Sequence, residues 1–281
     1  MSIDQKIFDK KYYYDVCLGS DIFKKSGGKL LDEKIKQRIE QLPLTKSMNV
    51  LEIGCGRGDT ALHIAKRVHT VSAIDYSIEG VRIAKKIKKK YSQDIQQKVN
   101  FFVMSATKLK FKDNEFDLVV LIDTLDHLNS KEQEKTMNEI SRVLKKEGIL
   151  FVRTCTNRIL LSYIYPYYIY PVNRFLTWID KKMKHIEYDS LPKDPRSKEQ
   201  KTQHVNESDY YKLEQLFKKH HYVGKIKSEV GFLKQKKGLR TSLYNFVIAF
   251  YPLSQYYPLN ILFTNSFLCT VYNRKDAYNT Y

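Results

Sequence analysis

Two carboxylates and three glycines near the start of the chain have the spacing of a ligand site. Glu52 lies in a short apolar run at residues 50–53, and Asp75 ends a second apolar run at residues 71–75. Between them the glycines are spaced G-x-G-x-G: Gly54, Gly56 and Gly58. Glycine permits backbone conformations, and a close approach to a ligand, that a Cβ forbids. A carboxylate ending the next strand can bind both hydroxyls of a ribose. The sequence therefore predicts a nucleoside-bearing cofactor at the carboxyl ends of parallel strands.

The glycine spacing and the first carboxylate indicate which cofactor is bound. A dinucleotide site needs G-x-G-x-x-G, with a helix N-terminus facing a pyrophosphate. Here the spacing is shorter, and Glu52 would repel a pyrophosphate but attract a ligand that carries an ammonium and a sulfonium. This segment resembles the first motif of the class I S-adenosylmethionine-dependent methyltransferases, and the resemblance extends over roughly residues 48–156.

Three later segments match the same family in order: residues 101–107, 115–123 and 139–150. At Ser105 many relatives have an acidic residue that receives the adenine amino group, so adenine binding here is expected to depend also on Tyr76 and nearby backbone. The resemblance implies S-adenosyl-L-methionine as the cofactor. The cofactor-binding residues it implies are Tyr13, Glu52, Gly54, Cys55, Gly56, Gly58, Asp75, Tyr76, Ser105, Ala106 and Ile122.

Alternating strand and helix patterns predict how these residues are positioned. Strands are expected near 49–53, 71–75, 99–104, 117–122 and 149–155, with two more at 223–230 and 266–272. Helices are expected near 28–41, 59–67, 78–91, 131–145 and 208–220, the fourth with Ser130 and Gln133 as a capping box. The predicted fold class is α/β, a Rossmann-like, doubly wound, seven-stranded and mostly parallel sheet.

The predicted organisation is an N-terminal helical leader, residues 1–47, lying over the cofactor site, followed by a methyltransferase domain at 48–281. Insertions are expected at 157–203 and 232–261, after strands five and six. Residues 159–173 and 241–273 contain no charged residue but many tyrosines. We expect the uncharged segments 159–173 and 241–260 to form one apolar, tyrosine-rich cap over the acceptor site, since neither could remain exposed as a large patch. Prolines and polar residues within 241–273 argue against a membrane-spanning helix.

Two histidines are the candidate catalytic residues. His127 follows strand four, where this fold delivers side chains toward the methyl group, and could deprotonate a hydroxyl acceptor if Asp126 holds its tautomer. His204 lies in residues 203–207, a segment that resembles one lining the acceptor pocket in related enzymes. The alternative is that His127 only packs or caps the strand end. The scattered cysteines Cys17, Cys55, Cys155 and Cys269 form no C-x-x-C pair, so no metal site is expected.

Charge and composition limit the classes of partner that the protein can be expected to bind. The formal net charge is +18 among 281 residues, which favours anionic partners such as phospholipid membranes. No N-P-P-Y-type tetrapeptide follows strand four, where residues 122–125 read Ile-Asp-Thr-Leu, so nucleic acid is not expected. The charged N-terminus has no apolar signal-peptide run, which predicts a cytoplasmic protein, with peripheral membrane contact left open.

The leading interpretation is methyl transfer to a small-molecule or lipid acceptor: a lipid, a quinone-like ring or a glycan-linked hydroxyl. The alternatives are an RNA- or protein-directed methyltransferase that uses the basic surface, or a cofactor-binding pseudo-enzyme that acts as a scaffold.

Overall fold

A seven-stranded sheet forms the centre of this computed structural model, which describes residues 3–155, 157–183, 190–229, 233–234 and 238–274. The strand order is β3-β2-β1-β4-β5-β7-β6. Strands β1 to β5 are parallel, and β7 is antiparallel to both β5 and β6. The strands are β1 (Asn49–Ile53), β2 (Thr70–Asp75), β3 (Val99–Val103), β4 (Phe116–Ile122), β5 (Leu144–Thr154), β6 (Tyr222–Glu229) and β7 (Ser266–Asn273). The predicted Rossmann-like, mostly parallel sheet is confirmed.

Helices cover both faces of the sheet, which explains why its central strands are continuous apolar runs. They are α1 (Ser20–Ser26), α2 (Glu33–Glu40), α3 (Asp59–Ile64), α4 (Ile78–Lys88), α5 (Gln93–Lys98), α6 (Ser130–Val143), α7 (Tyr170–Lys182), α8 (Lys198–Gln203), α9 (Tyr210–Lys219), α10 (Leu239–Ala249) and α11 (Leu259–Leu262). A π-helical segment, Leu160–Ile169, leads directly into α7. None of the described helices is both long and apolar enough to cross a bilayer.

Two predicted helix starts are wrong, each for a local reason. The leader helix was expected from Gly28, but Gly28 has a φ of 85° and lies in the turn after α1. Helix α2 begins only after Asp32, whose carboxylate caps it by accepting the Lys34 amide. In α6 the capping box is one residue earlier than predicted, because Asn129 and Glu132 exchange side-chain and backbone hydrogen bonds.

The strand that follows α6 is longer than expected. β5 begins at Leu144, where a start near residue 149 was predicted, and its pairing with β4 shifts register between Phe116 and Leu118. Glu147 takes a φ of 61° next to Gly148 within this irregular stretch. Gly148 therefore lies inside the strand and not before it.

The two uncharged segments pack against each other. Leu160, Tyr165 and Ile169 share a hydrophobic cluster with Tyr244, Ile248, Ala249 and Phe263. The Tyr168 hydroxyl donates to the Val247 carbonyl, and the Tyr168 ring stacks on Phe250 at 5.6 Å. The insertions thus meet as one apolar unit beside the sheet. Some predicted residues lie outside the described part of the chain: 184–189 of the first insertion, 232 and 235–237 of the second, and Val230 of the predicted sixth strand. Residue 156, which precedes the first insertion, also lies outside it.

Candidate cofactor and acceptor site

A cavity of about 540 Å³ opens at the carboxyl ends of β1, β2 and β4. This is the edge where parallel α/β sheets bind ligands, at the point where the strand order reverses. All of the residues predicted for the site line this cavity except Gly58. Gly58 instead precedes α3 with a φ of 83°, and a Cβ there would lie 2.7 Å from the Phe101 ring. Its role is to close the loop onto the sheet.

The carboxylate of Asp75 is held in a fixed orientation at the end of β2. One oxygen accepts the Gly56 amide at 2.7 Å, and the other accepts the Ser77 amide at 2.8 Å. Burial raises the pKa of Asp75, and these two amide hydrogen bonds oppose that rise. Each carboxylate oxygen can accept more than one hydrogen bond, so both keep capacity for the hydroxyls of a ribose.

Glu52 is a buried carboxylate without a counter-charge. Its side chain is 4% exposed, and its Oε2 has no hydrogen-bond partner among the described residues. Burial raises its pKa to about 8, and repulsion from Asp59 and Asp75 adds to the rise. A cationic group that enters the cavity would supply the missing partner.

The glycine loop is shaped by its protein neighbours as much as by a ligand. Gly54 has a φ of 79°, and a Cβ there would lie 2.2 Å from the Thr124 hydroxyl oxygen. Gly56 has a φ of 49°, and its Cβ would lie 3.1 Å from the Tyr13 ring. The predicted reason, room for a ligand, is therefore incomplete: Gly54 is also required by its left-handed backbone and by the close approach of Thr124.

The remaining predicted cofactor residues form the sides of the cavity. Ser105 lies with its hydroxyl 2.9 Å from that of Thr107. The Tyr76 hydroxyl is buried and has no partner among the described residues, and the Tyr76 carbonyl accepts the side-chain amide of Gln5. The remaining predicted lining residues are Tyr13, Cys55, Ala106 and Ile122.

The two candidate histidines lie together and both line the cavity. Their ring centroids are 5.0 Å apart. His127 Nδ1 lies 3.0 Å from the Gln203 carbonyl, so this nitrogen carries the proton and donates it to that carbonyl. Burial lowers the pKa of His127, whereas burial and repulsion from His127 lower the pKa of His204 to about 4. Both rings are therefore neutral near pH 7.

The expectation that Asp126 holds the His127 tautomer is wrong. The Asp126 carboxylate is fully buried and accepts the Thr154 hydroxyl and, at 3.2 Å, the Cys155 amide. The Gln203 carbonyl takes the orienting role instead. A carbonyl 76 residues away in sequence can be found only once the chain is folded.

Similar proteins were found by sequence and by structure. Residues 51–152 match the methyltransferase domain family. Norajmaline N-methyltransferase of Rauvolfia serpentina is 37% identical over 42% of this chain and 40% of its own length. Ubiquinone biosynthesis O-methyltransferase of Pelagibacter ubique is 32% identical over 46% of this chain and 50% of its own length. The chain thus spans about half, or less, of these curated relatives.

The fold is also shared across nearly the whole chain. A solved protein of Pyrococcus horikoshii superposes with a TM-score of 0.53 at 19% identity, covering 97% of this chain and 99% of its own. The matched domain contains the glycine loop, Asp75 and β4. These matches support assigning residues 51–152 to the class I S-adenosylmethionine-dependent methyltransferases.

S-adenosylmethionine is the cofactor of this methyltransferase family, and the residues present fit it. The unpartnered Oε2 of Glu52 lies where a buried cation is needed, which suits the ammonium of the methionine part. The oriented carboxylate of Asp75 suits the ribose. The cavity therefore offers one carboxylate for a cation and a second carboxylate for a diol.

Arg57 is a methyltransferase-loop residue that the sequence reasoning missed. Its guanidinium donates to the Tyr13 carbonyl at 2.6 Å and the Leu18 carbonyl at 2.7 Å, and pairs with Asp59 at 2.8 Å. It also stacks 4.2 Å from the Phe23 ring centroid. The glycine loop therefore holds the leader, whose residues Ile3, Phe8, Tyr12, Tyr13, Val16, Cys17 and Leu18 line the cavity. The sequence feature that could have revealed this role is the position of the arginine between two glycines of the loop.

An ion cluster supports the acceptor end and was also missed. Asp123 lines the cavity with a φ of 52°, and its carboxylate binds Arg38 of α2 at 2.8 Å and also Arg153 of β5. Arg153 lies 3.4 Å from Glu229 of β6. These contacts tie the leader to the far side of the sheet. Asp123 and Arg153 both lie within the segment that resembles the family, but nothing in the sequence indicated that they pair with each other and with Arg38.

One group of described residues brings mixed metal-type donors together: Asp126, Cys155 and His204, whose donor atoms lie within 4.8 Å of one another. The Cys155 sulfur is 4.0 Å from both its neighbours, whereas two ligands of one zinc ion are about 3.5 Å apart. Burial raises the pKa of the Cys155 thiol, which opposes the thiolate form that binds metals. The absence of a metal stays a prediction.

The predicted position of the apolar cap is not supported. Neither residues 159–173 nor 241–260 contribute to the cavity lining. The polar residues Ser197, Gln200, Gln203 and His204, in and beside α8, close this side instead. The two segments do meet, but the part of the cavity beside His127 and His204 is bounded by α8 and the leader.

Proposed function

We propose that this protein transfers a methyl group from S-adenosylmethionine to a small or lipophilic acceptor, such as a lipid, a quinone-like ring or a glycan-linked hydroxyl. The observation that carries the proposal is one continuous cavity whose lining includes both Glu52 and Asp75 and the His127–His204 pair. A donor held by the first pair faces an acceptor held by the second.

Methyl transfer requires the protein mainly to position the donor and the acceptor. When bound, S-adenosylmethionine supplies an activated methyl group, and transfer is an in-line displacement. Glu52 would hold the ammonium and Asp75 the ribose. His127 would take the proton of a hydroxyl or amine acceptor, since the Gln203 carbonyl orients its ring and its lowered pKa leaves the ring neutral near pH 7. His204 would contact the acceptor, with Cys155 beside it.

The named relatives support a small-molecule acceptor. One is named for methylating a nitrogen of an alkaloid, norajmaline, and another for an oxygen in ubiquinone biosynthesis. As part of the same proposal, we infer that the protein meets its acceptor at an anionic membrane surface, in line with a net charge of +18.

The test is methyl transfer with isotopically labelled cofactor and separate lipid, glycan, small-molecule and RNA extracts, read by mass spectrometry. Label should enter an organic or small-molecule fraction, and His127→Ala should slow transfer while S-adenosylhomocysteine binding measured by calorimetry is unchanged. Label confined to RNA or protein would favour the macromolecular alternative. Cofactor binding with no transfer to any fraction would favour the scaffold alternative.

A further inference from the structure

Two helices of the apolar unit expose rows of large apolar side chains. On α7, Phe175 and Trp178 stack at 6.1 Å, and Trp178 is 58% exposed. On α10, Leu239, Leu243 and Phe246 are spaced as one helical stripe, with exposures from 88% at Leu239 to 44% at Phe246. Together these five residues are called the aromatic face.

The other sides of both helices are already used. The buried Asn173 of α7 donates to the Tyr244 hydroxyl of α10 at 3.3 Å, and Ile248 and Ala249 enter the shared hydrophobic cluster. Packing within the apolar unit therefore explains the buried residues of α7 and α10 but not the exposed ones. More than half of the exposed large apolar side chains in the described residues belong to segments 163–183 and 239–257. Such a concentration marks an interaction surface.

The exposed charges on α7 and α10 are all positive. Among residues 159–182 the single carboxylate is Asp180, which is 7% exposed, and residues 241–273 have none. Arg174, Lys181, Lys182 and Arg240 lie among the apolar residues of α7 and α10. The Lys182 ammonium lies 5.3 Å from the Trp178 ring centroid. Exposed aromatics interleaved with cations are typical of helices that lie in the interface of an anionic bilayer.

We propose that the aromatic face docks this protein onto an anionic phospholipid surface. The inference rests on the proposed function, since it assigns the source of a lipophilic acceptor. The first insertion begins immediately after Cys155, which lines the acceptor end of the cavity. Docking through α7 and α10 would therefore link the methyl-transfer site to the membrane, because β5 connects that site to the insertion that carries α7.

Trp178 is the single tryptophan of the chain, so the protein carries its own probe. Its emission is followed as the purified protein is titrated with vesicles of neutral phosphatidylcholine or of phosphatidylcholine with phosphatidylglycerol. Docking predicts a blue shift with the anionic vesicles, co-sedimentation of protein with them, and weakening of both at high salt. An unchanged spectrum with no co-sedimentation would overturn the proposal.

Variants locate the contact. Leu243→Ser with Phe246→Ser should reduce binding to anionic vesicles at least tenfold, whereas the matched control, Leu30→Ser with Tyr272→Ser, replaces exposed apolar residues elsewhere and should bind as the parent does. Equal losses in both variants would overturn the assignment to this face. A dimer in sedimentation equilibrium that the first variant abolishes would assign the face to a second copy instead.

Calorimetry with S-adenosylhomocysteine on the same samples separates the two proposals. Normal cofactor binding without vesicle binding refutes the membrane surface alone. Absence of cofactor binding refutes the proposed function, whatever the vesicles show. Circular dichroism melts confirm that each variant is folded before it is scored.

Discussion

Replacing Arg57 tests whether the glycine loop holds the leader over the cofactor. Arg57→Met keeps an apolar stem against Phe23 but removes a guanidinium that is 4% exposed. Two carbonyls of the leader, at Tyr13 and Leu18, lose a charged donor. The carboxylate of Asp59 loses its partner while remaining buried.

The magnitude follows from these contacts. Breaking a buried ion pair costs about 3–5 kcal/mol, because the remaining charge is left without compensation. The lost hydrogen bonds from the charged donor, each worth about 1.5–3 kcal/mol, are part of this cost and are not added to it. Asp59 can relieve some of the cost by taking up a proton, since burial already raises its pKa. We therefore expect the free energy of unfolding to fall by about 3–5 kcal/mol in total.

Chemical denaturation measures this change, and two further variants interpret it. Arg57→Met with Asp59→Asn should recover about 1–2 kcal/mol, because no unpaired charge remains. Arg82→Met is the matched control: Arg82 pairs with Glu79 at the surface and its removal should change little. S-adenosylhomocysteine should also bind Arg57→Met more weakly, because leader residues line the cavity. A loss no larger than that of Arg82→Met, with unchanged cofactor affinity, would refute the reasoning.

Three further predictions concern the cofactor end. Asp75→Ala should weaken S-adenosylhomocysteine binding by about 1.5–3 kcal/mol in calorimetry through loss of hydrogen bonds to the ribose, whereas the exposed Asp94→Ala should not; an unchanged dissociation constant would mean that Asp75 is not the ribose ligand. Gly54→Ala should lower the unfolding free energy by at least about 1 kcal/mol, and adding Thr124→Ala should restore part of it by removing the clash; no recovery would leave the strain in the backbone alone. The folded-state pKa of Glu52 is raised from 4.5 to about 8, so the stability it contributes is present below about pH 4.5 and is lost as pH rises through 8. In denaturant titrations, wild type should therefore lose stability relative to Glu52→Gln between pH 5.5 and pH 8. A constant difference in stability between the two proteins would contradict the raised pKa.

The sequence determined the sheet and the cofactor end because both depend on local patterns. Apolar runs that alternate with helical stripes specify parallel strands covered on two faces, and glycines with positive φ can be recognised by residue type. Glu52 and Asp75 lie at the ends of adjacent strands, and strand adjacency follows from the family's strand order. Their meeting in one cavity was therefore predictable from their positions together with the strand order that the family resemblance implies.

The acceptor end was decided by contacts between residues far apart in the chain. The partner of His127 is the Gln203 carbonyl, and the partners of Asp123 are Arg38 and Arg153. Backbone carbonyls and paired charges have no signature in a sequence, because any residue has a carbonyl and most charges face solvent. The same limit applies to the apolar unit: its composition predicted that residues 159–173 and 241–260 come together, and the structure shows them in contact. Which side of the sheet receives them, and which of their residues remain exposed, is set by how the insertions pack in three dimensions.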